Sequence, residues 1–184
     1  LSLPEIGKWL PRATIAAEDA RFFRHPGYDL AEVVAALERR AANQERLRGA
    51  STLTQQLAKN LFLDSERTLA RKLRELLYAV EMEHTLGKRR ILELYLNIVD
   101  WGSGLYGAKR AAEKYFGIAP ADLMPEQAAW LASLLTNPRL ALERQQRTGR
   151  IDSERVGWIL GRMRGLSAAE REQALVRLLE ITAP

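Results

Sequence analysis

Residues 49–60 read G-A-S-T-L-T-Q-Q-L-A-K-N, which gathers Ser51, Thr52, Thr54, Gln55, Gln56, Lys59 and Asn60 into one turn-plus-helix segment. A helix face with adjacent amides, hydroxyls and a lysine is suited to a polar, anionic ligand. Gly49 and Ser51 read as a turn and an N-cap, which would aim helix N-terminal amides at that ligand as well. The competing reading is a capped surface helix. Lys59 follows Gln56 and Gln55 by three and four residues, so the three share a face. Arg67 opens the next helical stretch, and Arg71 and Lys72 extend the run of cations. Arginine grips phosphate oxygens in pairs and lysine adds a compact charge; the alternative for all four is solvated surface charge.

Two carboxylates stand out. Glu18 follows the apolar stretch Thr14-Ile15-Ala16-Ala17 and precedes Phe22 and Phe23. A carboxylate among such neighbours is partly desolvated and becomes a better proton acceptor; the alternative is an exposed acid at a helix start. Glu75 lies in a long amphipathic segment, four residues after Arg71, so the two share a face and can pair. An ordinary helix-surface ion pair is the competing account, and such pairs contribute little.

These groups need helices to hold them. Asp29 reads as the cap of a helix with Leu30, Val33, Val34 and Leu37 on one face. Residues 41–50 read as a polar, basic loop. Residues 66–86 form the longest amphipathic segment, carrying Leu69, Leu73, Leu76, Leu77 and Val80, with Gly87 closing it. Residues 88–97, 108–116, 125–135, 153–164 and 167–181 also read as helices, and Ser167 with Glu170 fits a capping box. Strand signals are nearly absent, so the expected class is mainly α. Gly102, Gly104 and Gly107 spell G-x-G-x-x-G, but a dinucleotide site needs a preceding strand in a βαβ unit. A helical segment precedes them here, and a tight turn is the better reading.

Composition narrows the partners. The chain has 184 residues, is 47% hydrophobic and carries a net charge of +5, which suits an anionic partner such as phosphate or an anionic membrane surface. Low aromatic content and the lack of a nucleic-acid motif argue against nucleic acid. With no cysteine and only His25 and His84, neither a catalytic thiol nor a histidine metal centre is expected. No apolar run approaches the ~20 residues of a membrane span. The chain begins at Leu1 without a signal-peptide pattern. We read it as a piece whose anchor lies upstream. The absence of Ser-x-x-Lys excludes a penicillin-binding transpeptidase centre from these residues.

Five blocks in order tie these features together: E-D-A-R-F-F-R-H-P-G at 18–27, the segment at 49–60, R-K-L-R-E at 71–75, K-R-R-I-L-E-L-Y-L-N at 88–97 and P-E-Q-A-A-W-L-A-S-L-L-T-N-P at 125–138. The chain thereby resembles the peptidoglycan glycosyltransferases (glycosyltransferase family 51), over roughly residues 12–140. The resemblance implies one domain over 1–184, with a lysozyme-like helical head lobe, a small mobile jaw lobe at 28–50 that touches the bilayer, and C-terminal helices over 141–184. It implies an inverting polymerisation of lipid II into β-1,4-linked glycan strands with release of undecaprenyl pyrophosphate. Glu18 matches the proposed general base, Asp19 a positioning residue and Glu75 the second acidic residue. Ser51, Thr52, Gln55, Gln56 and Asn60 match substrate-contacting positions. Lys59 and Arg67 match the pyrophosphate contacts, with Arg71 and Lys72 beside them. His25 is read as holding the following loop, with a proton shuttle as the alternative. In the fourth block, Lys88, Glu93, Tyr95 and Asn97 match, and Asn97 is read as capping the helix end. Thr136 stands where the family often has proline.

The resemblance further implies a divalent cation, magnesium or manganese, travelling with the substrate pyrophosphate, no metal-ligand cluster of the chain's own and no organic cofactor. The partners implied are lipid II, the growing glycan strand, the membrane surface and other cell-wall synthesis proteins, at the periplasmic face of a bacterial inner membrane. Two rivals remain. A lytic transglycosylase would share the acid but has no use for the Lys59/Arg67 pair. A catalytically silent scaffold would not need Glu18, Gln55, Gln56, Lys59, Arg67 and Glu75 together.

Overall fold

The computed structural model describes residues 1–43, 51–63 and 68–178. Among them the chain is mainly α-helical, as its periodicity predicts. The helices are α1 (Leu3–Ile6), α2 (Trp9–Glu18), α3 (Leu30–Asn43), α4 (Leu53–Phe62), α5 (Leu69–Thr85), α6 (Gly87–Ile98), α7 (Ala108–Phe116), α8 (Pro125–Leu134), α9 (Pro138–Thr148), α10 (Ser153–Arg162) and α11 (Ala168–Leu178). Short 3-10 turns occupy Phe22–Arg24 and Pro120–Asp122. The chain divides into two units, Leu1–Ala20 with Leu96–Pro184, and Arg21–Tyr95.

In the first unit, α8 packs against α2, α10 and α11. The reason is its composition: Ala128, Ala129, Trp130, Leu131, Ala132 and Leu134 are all buried, so helices approach it from several sides. Tyr115 and Phe116 meet the Trp130 ring edge-on at 5.0 and 5.5 Å. The one buried acid of α8, Glu126, is satisfied by α11: Arg177 donates from Nε at 2.6 Å and Nη2 at 3.3 Å. The Gly-rich segment is a tight turn, closed by Trp101 N–H to Leu105 carbonyl at 2.8 Å and Leu105 N–H to Gly102 carbonyl at 2.9 Å. It follows a helix, and among the described residues it belongs to no βαβ unit.

In the second unit, α4 packs on α5 around Leu53, Leu57, Ala79 and Met82. Gly27 sits at φ +93°, and a Cβ there would lie 3.0 Å from the Ala79 carbonyl oxygen, so only glycine lets this loop approach α5. Gly87, expected to close α5, follows its C-cap Leu86 with φ +72° and is the first residue of α6.

Several boundaries move. Residues 41–43 of the expected loop are helical, because α3 continues to Asn43; residues 44–50, including Gly49, lie outside the described residues. The helix expected from 66 starts at Leu69, where the Thr68 hydroxyl accepts the Arg71 N–H at 3.1 Å. Helix α9 was not anticipated, although Asn137 as cap and Pro138 at the first helical position are its start signals. Asp29 caps α3 through the Glu32 N–H, as expected.

Candidate active site

Glu18 and Asp19 belong to the first unit, the remaining candidates to the second. Glu18 is the last residue of α2 and is half-buried, at a helix end rather than at the exposed helix start of the alternative reading. Its Oε1 accepts a hydrogen bond from Thr136 Oγ1 at 3.3 Å. Asp19, the C-cap, is buried. Arg155 of α10 donates from Nη2 to the Ala17 carbonyl at 3.2 Å, which ties down the same helix end. Neither Thr136 nor Arg155 was signalled by spacing: they lie 118 and 138 positions from their partners.

The segment at 51–60 is built differently from its sequence reading. The N-cap of α4 is Thr52, not Ser51. Thr52 Oγ1 accepts the Gln55 N–H at 3.2 Å, and Gln55 Oε1 accepts the Thr52 N–H at 3.0 Å, a reciprocal capping box. The Thr52 hydroxyl also donates to the Gly27 carbonyl at 2.7 Å. Thr54 donates to Glu83, and Gln56 Oε1 accepts from Tyr95 Oη at 2.9 Å. Much of the polar density therefore holds α4 to its neighbours. Lys59 and Asn60 are exposed on the last turns of the helix.

Ser51 has another partner: Lys72 donates from Nζ to its hydroxyl at 2.9 Å. Lys72 also donates to Glu75 Oε1, and Arg71 Nη1 lies 3.5 Å from Glu75 Oε2. Glu75 is 3% exposed. The Arg71–Glu75 pair thus forms as its spacing predicts, but as a buried acid between two cations rather than a surface bridge. Arg71 Nε and Nη1 are buried without a hydrogen-bond partner among the described residues. Arg67 lies outside the described residues.

His25 is buried and its Nδ1 accepts the Gly27 N–H at 3.3 Å, which holds the following loop as expected. Lys88 donates to Glu83 at 2.6 Å and lies 4.4 Å from the Phe22 ring centroid. Asn97 donates from Nδ2 to the Leu1 carbonyl at 2.7 Å. Among the described residues no three His, Cys, Asp or Glu side chains gather to hold a metal ion. No helix among them is long and apolar enough to cross a membrane.

Comparison with known proteins gives the family. A model of the family described as transglycosylase matches residues 1–164. A biosynthetic peptidoglycan transglycosylase of Nitrosomonas eutropha is 50% identical over 135 residues, covering 73% of this chain and 55% of that protein. The protein of the same name from Nitrosospira multiformis is 42% identical over 163 residues, covering 89% and 70%. A crystal structure of penicillin-binding protein 1A from Haemophilus influenzae aligns at a TM-score of 0.43 and 24% identity, over 71% of this chain and 17% of that one. The chain spans little more than half the length of the Nitrosomonas relative. On the match over residues 1–164, it belongs to the transglycosylase family.

Proposed function

We propose that this chain is the glycosyltransferase domain of a protein that polymerises lipid II into β-1,4-linked glycan strands, releasing undecaprenyl pyrophosphate. Glu18 takes the proton from the acceptor sugar hydroxyl as that oxygen attacks the donor's anomeric carbon. The bond from that carbon to the pyrophosphate oxygen breaks in the same displacement, so the configuration inverts. Lys59, Arg67, Arg71 and Lys72 stabilise the charge that builds on the leaving pyrophosphate. Glu75 orients Arg71 and Lys72 and balances their charge. Asp19 positions the end of α2. Ser51, Gln56 and Asn60 line the substrate, and Thr52 and Gln55 act on it through the cap of α4. A pyrophosphate is a good leaving group, so no second carboxylate is required as a proton donor.

The observation that carries this reading is the cluster of Ser51, Lys72, Glu75 and Arg71. Two cations held by a buried acid suit a phosphate-bearing substrate, and an enzyme that cleaves glycan has no such need. A divalent cation enters this reading as a companion of the substrate's pyrophosphate.

A membrane surface is the second partner in this proposal. Leu69, Leu73, Leu77 and Val80 of α5 are exposed at spacings of four, four and three, and Leu69 is 86% exposed. Leu30 and Val34 of α3 are exposed as well. Such apolar faces, on a chain of net charge +5, suit an anionic bilayer that also holds the lipid substrate. A product assay separates the readings. Growth of polymer from labelled lipid II supports the synthase, whereas soluble muropeptides released from preformed peptidoglycan identify the lytic rival.

A further inference from the structure

Thr136 sits between two helices, in the short join from α8 to α9. Both sides of that join are fixed. The Leu135 N–H donates to the Ala132 carbonyl at 3.3 Å and the Asn137 N–H to the Leu134 carbonyl at 3.1 Å. Asn137 then caps α9 by accepting the Leu140 N–H at 3.2 Å, and Pro138 sets the first helical residue. The backbone that presents Thr136 is therefore held by two helix ends. The far partner is held too: α2 packs on α8, and Arg155 grips the Ala17 carbonyl next to Glu18.

Across this fixed frame the Thr136 hydroxyl donates to Glu18 Oε1 at 3.3 Å. A glutamate's last torsion is broad and roughly two-fold, so the hydrogen bonds a carboxylate accepts select its orientation. Threonine is restricted at its first torsion, which limits where its hydroxyl oxygen can sit, and the hydrogen turns to meet Oε1. At 3.3 Å the bond is long, and a donor on one oxygen still favours one of the two orientations of the carboxyl group. Resting on the reading of Glu18 as general base, we propose that Thr136 is its positioning residue. The hydroxyl holds Oε1 and so keeps the carboxylate in the orientation that accepts the acceptor sugar's proton. Thr136 takes no proton itself.

The test compares wild type, Thr136→Val and Thr136→Ser in the full-length protein, by steady-state polymerisation of labelled lipid II. Valine keeps the shape and loses the hydroxyl; serine keeps the hydroxyl. Thr136 is exposed, so both variants should melt with wild type. Misorientation of a catalytic group lowers turnover, so Thr136→Val should lose about three- to tenfold in kcat while KM stays within about twofold. Thr136→Ser should recover most of that loss. An active wild type with full kcat in Thr136→Val overturns this inference alone. So does a Thr136→Ser variant as slow as Thr136→Val, since the loss would then follow shape rather than the hydroxyl. A wild type without polymerase activity overturns the glycosyltransferase reading and this inference together.

Discussion

Lys59 and Gln55 share a helix face but divide their work. Gln55 is buried and its side-chain oxygen closes the capping box of α4, whereas Lys59 is exposed one turn later. Lys59→Ala should therefore leave stability nearly unchanged, because alanine favours helix and little packing is lost. It should weaken a moenomycin-type phosphoglycolipid by about ten- to a hundredfold, the range of a charge-assisted contact. Wild-type affinity in a titration would remove Lys59 from the anion site. Thr52→Ala should behave in the opposite way, costing about 1 kcal/mol in urea unfolding through the lost cap. The polar residues of this segment were legible in the sequence. Their assignment was not, because Thr52, Thr54 and Gln56 find Gly27, Glu83 and Tyr95 at separations of 25, 29 and 39 positions.

Among the elements, α5 carries opposite demands on two faces. Its inner face buries Glu75 against Arg71, whose side chain is 16% exposed. Glu75→Ala would leave that guanidinium buried and unpaired, so urea unfolding should report a loss of about 3 kcal/mol. A loss under about 1 kcal/mol would mean the pair is as weak as a surface bridge. In α11, Ser167 donates from its N–H at 2.8 Å and its hydroxyl at 2.7 Å to Glu170, and holds that carboxyl below its usual range. A carboxyl lowered on folding adds stability at pH above its unfolded value, and loses it as pH falls through the lower folded value. Glu170→Gln should flatten that part of the acid-side melting curve. Helical periodicity told which α5 residues share a face. It could not tell that Leu69, Leu73 and Leu77 lie open, since the same spacing serves a core or a surface. The caps of α3 and α11 were readable because Asp29 and Ser167 act on residues three positions away.

At the scale of the whole molecule, the proposed membrane contact draws on an exposed apolar stripe and a net charge of +5. The double variant Leu73→Asp, Leu77→Asp should fold normally, because both positions are exposed, yet should float less with anionic vesicles. Added salt should weaken what binding remains. Unchanged flotation would assign the stripe to some other role. The role of Glu18 in polymerisation is reached most directly by one measurement. Labelled lipid II is incubated with the full-length protein, wild type beside Glu18→Gln, and the products are resolved on a gel. A glycan ladder from wild type and none from Glu18→Gln, with equal melting and equal phosphoglycolipid binding, is the predicted result. A ladder of equal strength from Glu18→Gln would contradict it.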